Sequence, residues 1–206
     1  MTEPETVPLL RTATEVSGML TVIAGRWSPR AFDPRPVDPG ALHRIFEAAR
    51  WAASSFNEQP WRYWLALKRD AHRAKLESFL VEANAWAKAA PVLLLAATST
   101  IFSKNGRSNP VAVHDLGLAD ATMTVQAMQE GVLVHGMAGF DAPRAQTELA
   151  MPGDWRAIAM WAMGYPGLLD SLPEPLRKRE LEPRSRRPLS QTFFGGETGK
   201  AHAMFQ

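Results

Sequence analysis

Two arginine-bearing segments and one neutral polar turn hold the side chains best suited to chemistry in this sequence. Arg26, Ser28 and Arg30 stand in RWSPR, and Arg184, Arg186 and Arg187 stand in RSRRP near the other end of the chain. Guanidinium forks match phosphate oxygens, often through paired hydrogen bonds, and a serine hydroxyl adds a neutral donor. Each segment alone also reads as a solvated basic loop. Together they are able to close one anion site from both ends of the chain. The third piece is AASSFNEQP, with Ala53, Ser54, Ser55, Asn57 and Gln59. Hydroxyls and amides both donate and accept, so this turn suits a flat ligand with a polar edge. It serves equally well as a helix-to-strand connection satisfied by its own side chains. The fourth piece is GMAGFD, with Met137, Ala138 and Gly139. Its glycines allow backbone to approach a ligand, and a plain turn explains them as well.

Other chemistries find little support. The chain of 206 residues has no cysteine, which removes disulfides, thiolate metal sites and cysteine nucleophiles. Five histidines show no metal-ligand spacing. His114 beside Asp115 is the single local acid–base pair, and it reads as helix surface or interface packing. There is no G-x-S-x-G, no G-x-G-x-x-G after a strand and no phosphate-binding G-x-x-x-x-G-K-[ST]. Trp51, Trp61, Trp64, Trp155 and Trp161 fall in expected helices and strands, so they read as core rather than as base-stacking platforms. The net charge is only +2. Two local basic patches on such a chain point to a small anion, not to a nucleic-acid face. No stretch approaches the roughly 18 apolar residues of a membrane span. The first residues carry acids early and no apolar run long enough for a signal peptide. The expectation is a cytoplasmic protein without membrane contact.

The elements that must position these residues follow from periodicity. With 46% apolar and 21% charged residues the chain has material for a core. Residues 1–13 read as a lead-in, and one domain is expected over 14–196. Val16, Met19, Leu20 and Ile23 predict a helix from about Thr14 to Ala24. Asp38-Pro39 is a helix start, and Leu42, Ile45, Phe46, Ala49 and Ala52 form its buried stripe. Residues 61–68 predict a strand, 71–81 a helix, and NAWAKAA a short helical piece. The apolar run 91–98 predicts a buried strand, and 100–110 a polar loop in which Phe102 is a candidate substrate-side wall. Residues 111–129 are apolar almost all round, which predicts a helix buried at the centre of the fold or across a subunit interface. Strands are expected over 132–135 and 155–163, and a helix over 142–150. The basic, proline-broken tail beyond has one possible strand near 189–194. Helices and strands alternate without βαβ rhythm, so the fold class is α+β with a mixed, mainly antiparallel central sheet flanked by helices.

Taken in order, RWSPRAF, ARWAASSFNEQPWRYW, DLGLADATMTVQAM, GMAGFD, AMWAMGYPG and RSRRPLS resemble the flavin-dependent nitroreductase family over residues 18–192. The resemblance implies an intertwined homodimer with FMN at the subunit interface and a C-terminal arm, residues 168–206, reaching over the partner. It implies that Arg26 and Ser28 hold the FMN phosphate with Arg184 and Arg186, and that Trp27 packs beside them. It places Arg30 on the pyrimidine side of the flavin. Ala53, Ser54, Ser55, Asn57 and Gln59 would line the ring edge from the other subunit, and Met137, Ala138 and Gly139 would back the ring near N5. It implies a ping-pong oxidoreductase in which NADH or NADPH delivers a hydride to flavin N5. A nitroaromatic, quinone, enal or semialdehyde then accepts it. A reductive dehalogenase, a flavin-cleaving enzyme and a non-catalytic flavin-binding protein are the alternatives. Ala53 stands where the family often has Pro, Trp27 where a basic residue or His is common, and Ala138 where some members carry Glu.

Overall fold

The computed structural model describes residues 18–205. Four strands, β1 (Trp61–Leu67), β2 (Val92–Ser99), β3 (Leu133–Met137) and β4 (Trp155–Gly164), form one sheet in the order β1-β2-β4-β3. The expected mainly antiparallel sheet is antiparallel in each of these pairings. β2 lies inside it, and its continuous apolar run is buried on both faces. Alternation assigns its residues to two cores. Val92, Leu94 and Ala96 face one cluster, while Leu93, Leu95 and Ala97 face the other.

The first core is covered by two long helices, α2 (Pro39–Arg50) and α4 (Ala112–Gln129), which follow the short α1 (Thr21–Gly25) and α3 (Arg73–Glu77) in the numbering along the chain. Asp38 caps α2 by accepting from Ala41 N–H at 2.8 Å, with Pro39 in its first turn. Ala41, Leu42, Ile45 and Ala49 then fall on the buried face as the spacing predicts. Arg44 clamps Glu130 at the end of α4 through two hydrogen bonds of 2.9 and 2.7 Å. Gly131, at φ +69°, ends that helix. α1 leans on α4 so closely that a Cβ at Gly25 would stand 2.9 Å from Met128 Cε.

α4 is buried on one face only. Leu116, Ala119, Met123 and Ala127 are in the core, whereas Val113 and Leu118 are exposed in the single chain, as are Leu20 at the start of α1 and Ile23 within it. The sequence offered the fold's centre or a subunit interface for this helix; the open face excludes burial all round within one chain. Trp51 also departs from expectation. It ends α2 with 76% of its surface exposed, over the Arg50 guanidinium at 5.2 Å.

The second core is covered by α3, a 3-10 segment (Glu82–Ala89) and α5 (Ala142–Glu148). The helix expected over 71–81 spans only Arg73–Glu77 because Leu80 leaves it to pair with Phe140. Arg73, almost fully buried, donates to the carbonyls of Ala66 at 3.1 Å and Ala90 at 2.8 Å. The tail holds an unexpected helix, α6 (Glu174–Leu181). In place of the strand near 189–194 there is a 3-10 turn (Leu189–Gln191), and Phe194 makes an isolated bridge to Ala201. The predicted helix start at 14–17 and the lead-in lie outside the described residues.

One buried acid joins α4 to the sheet. Asp120 accepts from the Tyr63 hydroxyl at 2.8 Å, and burial pushes its carboxyl up to about 6. A folded-state value above the ordinary one of 3.8 means that the folded chain keeps a proton which the unfolded chain releases. Stability contributed at this site is therefore lost as pH rises from about 4 through 6. Asp120→Asn should lack that loss. The gap in urea unfolding free energy between the two proteins should shift by about 3 kcal/mol in favour of the variant between pH 4 and pH 7. A pH-independent gap would refute the assignment.

Candidate functional site

The two basic segments meet, and a carboxylate that carried no sequence signal brings them together. Glu180, on α6, retains 2% of its surface. It accepts from Trp27 Nε1 at 3.3 Å and from Arg30 N–H at 3.4 and 3.3 Å, and its Oε2 lies 3.6 Å from the Arg30 guanidinium. A buried carboxylate needs such a full set of partners. The tail beyond Glu180 is thereby held against the loop after α1. There Arg184 Nη1 donates to Arg26 O, and Arg26 Nη1 lies 3.4 Å from Ser28 Oγ. Arg186 is near enough that its charge, after burial, helps lower the Arg26 guanidinium below its ordinary value. Two cations held close in a partly desolvated corner suit a phosphate dianion, which relieves both the repulsion and the burial. Trp27 itself is buried, its indole turned inward to Glu180.

The same loop is tied to the edge of the sheet. His135, in β3, donates from Nδ1 to Pro29 O at 2.8 Å, since a carbonyl only accepts. Burial, with Arg30 and Arg26 nearby, pushes its imidazole down to about 4 against the pull of the Pro29 carbonyl. It is therefore neutral at pH 7 and fixed in one tautomer. Its ring lies 4.5 Å from Trp86, over which Arg30 also sits at 6.0 Å. Met137, Ala138 and Gly139 follow on this edge. Met137 is buried and Ala138 exposed, and Gly139 O accepts from Asn84 Nδ2 at 2.9 Å. A Cβ at Gly139 would come within 2.8 Å of that amide nitrogen.

The polar turn lies at the other edge. Phe56, Asn57 and Gln59 all adopt positive φ, at 52°, 56° and 51°. Non-glycine residues resist this conformation, so something must hold it. Asp115, 2% exposed on α4, accepts from Ser55 N–H at 3.0 Å and from His114 Nδ1 at 3.1 Å. Ser54 Oγ accepts from Gln59 N–H at 3.0 Å, and Gln59 Nε2 donates to Asn57 O at 3.0 Å. The local alternative is thus partly realised: Ser54 and Gln59 satisfy the turn itself. The side-chain amide of Asn57 and the hydroxyl of Ser55 make no hydrogen bond among the described residues. Phe56 stands 92% exposed, edge-on to Phe102 at 5.9 Å.

The turn and the arginine corner are not neighbours within one chain. β1 and β3 are opposite edges of the sheet, three strand spacings or about 14 Å apart. Trp61, just after the turn, pairs through Thr98 with Arg156, whereas Met137 pairs with Met160, about 13 Å further along β4. Arg26, Ser28, Arg30, Arg184 and Arg186 therefore gather at one place, with Met137, Ala138 and Gly139 on the edge beside it. Ala53, Ser54, Ser55, Asn57 and Gln59 form a second place. Asp115 and Glu180, which organise the two, sit on helices where an acid has no distinguishing spacing. Among the described residues no group of three or more His, Cys, Asp or Glu is arranged to hold a metal ion, and no helix is long and apolar enough to cross a membrane.

Residues 23–85 match the family model for the nitroreductase family. A crystal structure of an oxidoreductase containing FMN is 32% identical and superposes with a TM-score of 0.84, over 90% of this chain and 95% of that one. An uncharacterized 15.4 kDa protein of Mycolicibacterium smegmatis is 32% identical over 124 residues, 60% of this chain and 82% of that protein. A Rhodopseudomonas palustris (strain TIE-1) protein, named provisionally as an NADH dehydrogenase/NAD(P)H nitroreductase, is 24% identical over 153 residues, 66% of this chain and 78% of its own.

Removing the Glu180 carboxylate should release the tail. Glu180→Ala is expected to cost about 3–5 kcal/mol, because it strands the Arg30 charge and the Trp27 N–H. Limited proteolysis should then cut first beyond α6. Glu180→Gln, which keeps an acceptor, should fall between the two proteins. Unchanged melting and cleavage in both variants would remove Glu180 from its organising role.

Proposed function

The chain belongs to the nitroreductase family, and from that premise we propose that it is an FMN-dependent oxidoreductase that takes electrons from NADH or NADPH. It passes them in ping-pong order to an electron-poor acceptor such as a nitroaromatic, quinone, enal or semialdehyde. The observation that carries this reading is the convergence of Arg26, Ser28, Arg184 and Arg186 at one corner, together with FMN in a solved relative of 32% identity. The corner fits a phosphate monoester on its own physical terms. It holds two mutually repelling guanidinium groups and a hydroxyl 3.4 Å from one of them.

In this assignment Arg26, Ser28, Arg184 and Arg186 bind the FMN phosphate. Arg30 reaches the pyrimidine side, its guanidinium already oriented by Glu180 and by the face of Trp86. Met137, Ala138 and Gly139 back the ring along the edge of β3, and Trp27 packs beneath the phosphate loop. Ala53, Ser54, Ser55, Asn57 and Gln59 read the ring's polar edge, Asn57 and Ser55 through their uncommitted side-chain groups. FMN supplies the hydride chemistry at N5 when bound. The residues of this chain hold and orient it.

The separation of the two residue groups bears on assembly. No rotation of side chains closes the span between opposite edges of a sheet. A two-fold axis does so, placing the turn of one chain against the corner of another. The exposed apolar surface of Leu20, Ile23, Trp51, Val113 and Leu118 is the face that such a homodimer covers.

Purified protein should be yellow and should bleach on anaerobic addition of NADH or NADPH. Colour should return with an acceptor. Arg26→Glu combined with Arg186→Glu should yield colourless protein. Co-expression of that double variant with a turn variant, Ser55→Trp, should restore about a quarter of the flavin content, since roughly half of randomly paired dimers are mixed and each mixed dimer keeps one intact site of two. No restoration from two folded, colourless parents would rule out sharing between subunits. Retention of flavin by the charge-reversed protein would rule out the phosphate assignment.

A further inference from the structure

A cleft of about 640 Å³ lies between the polar turn and the segment that follows β2. Phe56, Asn57 and Glu58 line one side, and Phe102, Lys104 and Arg107 lie among the residues of the other. The wall carrying these cations is a preformed hairpin rather than a loose loop. Ile101 pairs with Ser108, Phe102 N–H donates to Arg107 O at 2.8 Å, and Gly106 N–H donates to Phe102 O at 2.8 Å. Ser103 N–H donates to Glu58 Oε1 at 2.8 Å and locks the hairpin to the turn. Glu58 is thus committed to the backbone. Neither Lys104 nor Arg107 has a carboxylate within ion-pair distance among the described residues.

We propose that this cleft selects the electron acceptor, favouring an aromatic ring that bears an anionic substituent such as a carboxylate or sulfonate. The reading rests on the oxidoreductase function above and names its substrate class. Phe56 and Phe102, edge-on to each other, offer apolar faces to a flat ring. Holding Phe56 at positive φ and 92% exposed fits a residue kept out for contact with a ligand. Lys104 and Arg107 set the sign of the charge that is welcome. Asn57 lines the same cleft and belongs to the turn assigned to the flavin edge, so a ring bound there adjoins the reacting centre.

The test separates the two half-reactions. Holoenzyme reduced with dithionite, hence without any nicotinamide, is reoxidised by 4-nitrobenzoate or by nitrobenzene in stopped-flow. Lys104→Gln with Arg107→Gln should raise the half-saturation concentration for 4-nitrobenzoate about tenfold and leave nitrobenzene within about twofold. Phe102→Ala should weaken both. Raising the salt concentration should erode the preference for the anion in the native protein only. Equal effects on the two acceptors, or none on the anion, would overturn the proposal. Flavin absorbance is read on every sample. If it is absent, the functional reading fails by itself, and calorimetric binding of 4-nitrobenzoate to native and doubly substituted protein decides the cleft independently. Both exchanges lie on the exposed hairpin, and the melting temperature of the variant checks that it folds.

Discussion

The carboxylate of Glu180 is the interaction on which the arrangement turns. It joins positions 150 and 153 residues apart in sequence, and it does so in the interior, where an ion without partners is costly. Trp27 Nε1, the Arg30 amide and the Arg30 guanidinium all converge on it. Without such a tie, the tail would have every electrostatic reason to leave, since Arg186 and Arg26 repel. Glu180 thus holds a second basic segment beside the first, with Arg184 donating to Arg26 O and Arg186 close enough to act on the Arg26 charge. A corner that keeps two cations this close attracts an anion.

Asp115 plays the corresponding part at the other edge. Three non-glycine residues at positive φ within four positions would relax in an isolated peptide. The carboxylate on α4 takes the Ser55 amide, and Ser54 takes that of Gln59, so the turn is held in shape before any ligand arrives. Both sites follow one design: a buried acid on a helix, itself fixed by core packing, orients a loop whose outward groups stay available. Preorganisation of this kind puts the conformational cost into folding rather than binding.

Much of this was legible from residue types. The continuous apolar run of β2 and the Asp38-Pro39 start of α2 follow from local rules, and the structure places them as read; α4 is the long helix its composition predicts, with one face left open. The candidate site residues were legible as chemistry, and Arg26 and Arg186 do stand together. What was not legible has one physical character: it depends on partners distant in sequence. An acid inside a basic tail reads as surface charge, and only the Trp27 indole 153 residues away makes Glu180 an anchor. The helix 71–81 ends early because Leu80 finds Phe140, which no window of local propensity contains. Trp51 reads as core by composition, yet it stands at a helix end, exposed among the described residues.

That last exposure and the separation of the two site halves have a common resolution. A chain that leaves Trp51, Leu20, Ile23, Val113 and Leu118 bare has apolar surface in excess of what its own cores use. On the proposed dimer, the contact that covers this surface also carries the polar turn of one copy to the arginine corner of the other. A ligand held by both chains then binds the pair and not the single subunit. By mass action it stabilises association, and association raises its affinity by the same factor. In that dimer, cofactor loading, subunit contact and resistance to unfolding become one coupled equilibrium, so a substitution on the open face of α4, at Leu118, would act on the cofactor through assembly.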